Sequence, residues 1–259
     1  MLRRLLARDR LLAGGAIGFL ALFIALALIA PFDSRLVTGI NPWIKPTKFA
    51  ISIAIFLATI AWYTSELQPR PRARARITRT ILGSMLIEIV CIVGQAARGT
   101  TSHFNQSSGF DAAIFGVMGA AITINTAAVA ALLWLLRRDT PPARVGYLWG
   151  VRLGLALFVL GSLLGFVIVA NNGHSVPGPD GGAGLPFVNW SVDRGDLRVA
   201  HFIGMHALQA LPLLGAVLDR SVAAPAARTR VVSAVAVAWL VLMGATLSLA
   251  VGGRPLVAF

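Results

Sequence analysis

A chain of 259 residues that is 57% hydrophobic and only 13% charged has too little polar surface to be wetted on all sides, because a soluble domain carries about 25% charged residues. The net charge of +13 does not point to nucleic acid: most of the arginines sit in short links beside apolar runs, where they orient helices and meet anionic headgroups. The single cysteine, Cys91, lies inside an apolar run, which excludes an intramolecular disulfide and any multi-cysteine metal site.

In chain order, seven runs are long enough to span a bilayer core, which takes about 20 apolar residues. They cover residues 11–30, 43–64, 77–97, 112–136, 151–170, 201–218 and 231–251. The first is longer than the h-region of a signal peptide and is read as a retained helix. The second is entered through Pro42, Trp43 and Pro46, residues that suit a helix start at a membrane interface. The expected fold class is all-α, a polytopic bundle of seven transmembrane helices in one integral membrane domain over 1–259.

The links separate into two sets by charge. Arg3 to Arg10, Arg70 to Arg79, Arg137 to Arg152 and Arg220 to Arg230 hold most of the 23 lysines and arginines. Cytoplasmic links carry that excess, so the N-terminus is expected inside, the C-terminus outside, and the protein in a cell (inner) membrane. Every histidine then falls at the outer or periplasmic side. The fifth run carries Gly150, Gly154, Gly161 and Gly165, and small residues at that spacing let helices approach closely in lipid.

Polar residues interrupt the spans. At 100° per residue Glu88, Gln95 and Ser102 share a face, as do Asp111, Met118 and Asn125, and as do Lys45, Ser52 and Thr59. Each stripe is expected to face protein or water rather than lipid. Glu88, an acid within a span, is a candidate proton site or catalytic group.

The longest link, 171–200, is expected to fold as an outer lid. It carries the turn-forming run PGPDGGAG and the apolar Leu185, Phe187, Val188 and Trp190, which favour burial. Asp180, Asp193 and Asp196 lie in it and are candidate bases. His103, His174, His201 and His206 are candidate metal ligands, with zinc as the favoured divalent ion. Two of them, His103 and His201 first, would serve as axial ligands if the cofactor is haem b. His201 and His206 are five apart, which points their side chains about 140° from each other on a regular helix, with His206 the deeper of the two. Lys45, Lys48, Arg98, Asn105, Asp111, Trp190, Arg198 and Gln209 are the candidate substrate contacts, suited to an anionic or lipidic small molecule. Membrane lipid is the expected partner.

The leading expectation is a metal-assisted, hydrolase-like membrane enzyme with its site at the outer mouth. A b-type haem redox protein and a small proton-coupled transporter using Glu88 are the alternatives. The seven-helix, N-inside layout resembles the adiponectin-receptor type of membrane hydrolase, which binds zinc through histidines, although the histidine spacing here departs from that family's.

Overall fold

Within a bilayer, backbone N–H and C=O groups must satisfy one another, so each apolar run is driven into a helix. The computed structural model describes residues 2–67, 70–137, 141–221 and 224–257. Among them are a short helix α1 (Leu2–Arg8) and the longer α2 (Arg10–Ile29), α3 (Ile44–Thr64), α4 (Pro71–Ala97), α5 (Gly109–Leu135), α6 (Val145–Ala170), α7 (Arg198–Ser221) and α8 (Pro225–Val251). The seven longer helices are long and apolar enough to cross a membrane. The protein is thus an all-α, multi-pass membrane protein.

The helices outrun the apolar segments that mark them. α4 begins at Pro71 rather than near residue 77, because Pro71 sits in its first turn and arginine is a good helix former. Charge sets where the bilayer core begins, and backbone hydrogen bonds set where the helix begins. α5 starts at Gly109 because the Ser108 side chain caps it, accepting from the Asp111 amide. α7 starts at Arg198, which takes the last residues of the expected lid into the helix.

The chain forms two compact units, Met1–Leu136 and Arg137–Phe259. In the first, Leu12, Leu57, Ile60, Ile81, Ile92, Met118 and Leu132 are fully buried between α2, α3, α4 and α5. At one end of this unit, Asp9 is buried and caps α2, with Oδ1 accepting from the Leu12 amide at 3.1 Å. Its Oδ2 accepts from Thr64 Oγ1 at 3.1 Å, Thr78 Oγ1 at 3.0 Å and Arg74 Nε at 3.3 Å. One carboxylate therefore ties α2, α3 and α4 together. Asp9→Asn keeps the capping oxygen but removes the charge facing Arg74. It should lower stability by about 2 kcal/mol, the scale of lost charge-assisted hydrogen bonds, read as the thermal unfolding of purified protein. An unchanged melting temperature would contradict this role.

In the second unit the α6 glycines lie against the backbone of α7. A methyl at Gly154 would meet Ala207 O at 2.8 Å, and one at Gly161 would meet the Gly204 Cα at 2.8 Å. The close-packing role expected of the four glycines is what the structure has at Gly150, Gly154 and Gly161, whereas a methyl at Gly165 would meet only the His201 ring, at 3.9 Å. Leu157, Ala207, Leu211 and Ala236 form the core beneath, with Trp239 packed on it. Asp219 closes the far end, accepting from the Gly146 and Tyr147 amides at 2.9 Å each and pairing with Arg228 at 3.5 Å.

The link between α6 and α7 is folded. Strands β1 (Ser175–Val176) and β2 (Gly195–Asp196) pair antiparallel, and Gly184 bridges to Ser191. Gly195 sits against the last turn of α8, where a methyl would meet the Ala250 carbonyl carbon at 2.6 Å. Within this link Trp190 and Leu185 are part-buried, but Phe187 is 93% exposed at a turn with φ +65°. The expectation that all four apolar residues of the link are buried fails at Phe187, because the turn reverses the chain there.

Candidate functional site

In the first unit the polar groups gather at the end that carries the 33–43 and 98–108 links. α4 stops at Ala97 because Gly99 (φ +74°) takes a left-handed turn that only glycine adopts freely. The Gly99 amide donates to Ala96 O and the Thr100 amide to Gln95 O, both at 3.0 Å. This termination ends the helical stripe at Gln95. Ser102 does not continue it; the turn places Ser102 beside His103 instead.

His103 is part-buried in an aromatic cage, with ring centroids 6.0 Å from Phe49, 6.3 Å from Phe104 and 6.1 Å from Phe115. Phe104 reaches this position through a left-handed backbone, φ +57°, a conformation that costs a non-glycine residue energy and often marks a functional turn. The ammonium of Lys45 lies 3.1 Å from His103 Nδ1, and the Ser102 hydroxyl is 3.1 Å from the same nitrogen. An ammonium only donates, so Nδ1 accepts and the ring proton resides on Nε2. Burial, and then the charge of Lys45, push His103 well below its usual 6.5.

Folded His103 resists a proton that the unfolded chain accepts. This stability contribution is full above about pH 6.5 and declines as pH falls below it. Imidazole nitrogen NMR should place the His103 midpoint below 6.5 and move it upward in Lys45→Met. A midpoint at or above 6.5 in the native protein would contradict the cage.

Glu88 lies on the same unit's α4, 5% exposed, on the face that also buries Ser84, Gln95 and Ile92. About nine residues at 1.5 Å each separate it from the helix end, so it sits inside the span. The charge that couples to Glu88 is the ammonium of Lys45. The Lys45–His103 pair lies at the end of the unit toward which the Glu88 face of α4 runs. Lys48 follows one turn along α3 and is part-buried.

The other candidates in this unit brace it. Asp111 is buried and accepts from Gln95 Nε2 at 2.8 Å, Arg98 at 2.6 Å and Ser108 Oγ at 2.6 Å. Arg98 is thereby neutralised, and it stacks on Phe110 at 4.8 Å. Asn105 donates to Thr100 Oγ1 and accepts from Ser107, holding the 98–108 link in shape. Asp111, Met118 and Asn125 are all buried, as their shared face predicts, and Asn125 Oδ1 has no hydrogen-bond partner among the described residues. The α3 stripe behaves differently: Ser52 is exposed, and Thr59 bonds back to Ile55 O of its own helix at 2.8 Å. A threonine hydroxyl can satisfy itself on its own helix in this way.

Asp33 is a residue that spacing alone did not single out. Hydrogen bonds from Arg35, together with one from Trp43 Nε1 at 2.7 Å, hold its carboxyl well below the usual carboxylate range. Arg35 also donates to Ala97 O at 2.9 Å, joining the 33–43 link to the end of α4. The available signal was an acid and a base two apart in a short link next to a tryptophan.

In the second unit the expected site residues mostly hold the folded link. Asp180 Oδ1 accepts from the His174 and Ser175 amides at 2.8 Å each. Asp196 is buried and accepts from the Ser191 amide at 2.9 Å and from Arg198, whose guanidinium approaches to 2.6 Å. Burial pushes the Asp196 carboxyl up, but its bonds to Arg198 outweigh that and hold it below the usual range. His174 Nε2 lies 3.3 Å from Asp180 and its Nδ1 3.8 Å from Asp196, so the two carboxylates lie at opposite edges of one ring. Asp193 is exposed.

His201 is part-buried and donates from Nδ1 to Gly161 O at 2.7 Å, in space that glycines on α6 leave open. His206, expected to be the deeper of the pair, is exposed; it donates from Nδ1 to Phe202 O at 2.9 Å and stacks on the Phe202 ring at 3.8 Å. Trp190 packs edge-on against that same ring at 5.2 Å, which seats the folded link on α7. Gln209 is part-buried on α7.

Among the described residues no three histidine, cysteine, aspartate or glutamate side chains are placed to hold a metal ion. The expected set of His103, His174, His201 and His206 therefore does not offer three ligands to one ion. No family model, curated protein or solved structure matches this chain.

Proposed function

We propose that this protein is a small proton-coupled membrane carrier, with Glu88 as the intramembrane proton site and Lys45 and His103 linking it to water at the end of the first unit. The observation that supports this reading is an acid, Glu88, 5% exposed inside a span, on the unit whose end carries the Lys45–His103 pair at 3.1 Å. An acid inside a span is costly and is retained where it handles ions or protons. A neutral imidazole is a natural group to pass a proton. Reconstituted into vesicles carrying a potassium diffusion potential and an internal pH dye, the protein should admit protons faster than empty vesicles. Equal rates would remove the reading.

The metal-assisted hydrolase and haem readings draw on the same histidines and on Asp180, Asp193 and Asp196 as bases. They gain no support from side-chain placement, since Asp180 and Asp196 are engaged by backbone amides and Arg198. The positive-inside excess supports an inner-membrane orientation with the His103 end facing outward. A reporter fused at the C-terminus should be active only if it works outside the cytoplasm, and one inserted at Arg74 only if it works inside. Cytoplasmic activity at both would overturn the seven-helix count.

A further inference from the structure

Of the five arginines that open α4, two are engaged. Arg70 donates to Leu135 O at 3.0 Å, and Arg74 pairs with Asp9. The other three, Arg72, Arg76 and Arg79, are exposed and have no hydrogen bond, ion pair or ring contact among the described residues. With Pro71 and Ala75 they line an open groove of about 410 Å³. Their spacing of four and three residues keeps them within about 60° of one another on the helix, climbing about 10 Å along its axis. The same face continues into Leu86, 47% exposed, and Val90, 67% exposed, which lie seven and eleven residues beyond Arg79.

We propose that this groove holds the phosphate headgroup of an anionic phospholipid, with one acyl chain lying along Leu86 and Val90. Three guanidiniums present forked donors that match phosphate oxygens. Basic pockets at the ends of membrane-crossing helices are suited to such headgroups. A free phosphate would use the arginines but not the apolar track above them, and the continuity of the two on one helix face selects a lipid.

Native mass spectrometry of the full-length protein in neutral detergent tests this with phosphatidylglycerol, phosphatidylcholine and inorganic phosphate as probes. One phosphatidylglycerol should be retained in preference to phosphatidylcholine, and inorganic phosphate should not displace it. Arg72→Gln, Arg76→Gln and Arg79→Gln should each weaken retention about fivefold, the effect of one basic residue at an anionic surface. Arg10→Gln, an exposed arginine at the same end of the unit but outside the groove, should leave retention unchanged. Equal retention of the two lipids, displacement by inorganic phosphate, or an equal loss in Arg10→Gln would each overturn the assignment. The comparison of the three probes on the native chain stands even where a variant fails to insert.

Discussion

Glu88→Gln should lower potential-driven proton entry by about 100-fold, since a positioned proton-transfer group contributes roughly 10²–10⁴-fold. Glutamine has the shape of glutamate and retains hydrogen-bonding atoms in a site that is 5% exposed, so the bundle should still assemble. What it lacks is the ability to take up and release a proton. Lys45→Met should reduce the rate by less, because it removes the charge coupled to Glu88 but leaves the carboxyl. Glu66→Gln provides the control: Glu66 lies in the link after α3, 3.8 Å from Arg8, at the opposite end of the unit. Its replacement should leave proton entry unchanged. Equal losses in Glu66→Gln and Glu88→Gln would mean that the effect is one of assembly rather than of a proton site.

Gly150→Ala should destabilise the second unit by about 3 kcal/mol, the upper part of the range for overpacking a close interface. A methyl there would lie 2.7 Å from the Leu211 carbonyl carbon and 2.8 Å from the Pro212 Cα. Both are backbone atoms of α7, so relief requires the whole helix to move. Gly244→Ala on α8 makes the same chemical change where nothing lies within 4 Å. It should be neutral or stabilising by about 0.5–1 kcal/mol, because alanine is the better helix former. Thermal unfolding in detergent separates the two. A melting temperature for Gly150→Ala equal to that of Gly244→Ala would show that α6 and α7 are not in backbone contact there.

The spans were legible because hydrocarbon imposes a simple demand on composition and length, and the glycine spacing on α6 was legible because close helix contact in lipid requires small residues. Helix ends were less so. Ser108, Gly99 and the arginines after Pro71 set them through caps and backbone bonds that apolar runs do not record. Glu88 stood out in the sequence as an acid in a span. The contact between Lys45 and His103 did not, because it depends on the turn at Gly99 and Phe104 that brings the 98–108 link back over α3. The link between α6 and α7 was legible in a different way. Its density of aspartate and histidine stood out in the sequence, but the work Asp180 and Asp196 do in satisfying the amides of a turn-rich segment and the Arg198 guanidinium did not. A long link with few regular hydrogen bonds needs such side-chain acceptors to keep its backbone paired.

The most direct test of the proton site is infrared difference spectroscopy of the full-length protein as pH is cycled, since the C=O stretch of a carboxylic acid appears only when the group holds a proton. A carboxyl band should appear and vanish reversibly in the native chain. The component of that band due to Glu88 should be missing in Glu88→Gln, and in Lys45→Met it should shift its pH midpoint. A spectrum unchanged by Glu88→Gln would show that Glu88 does not exchange its proton and would contradict the proposed function.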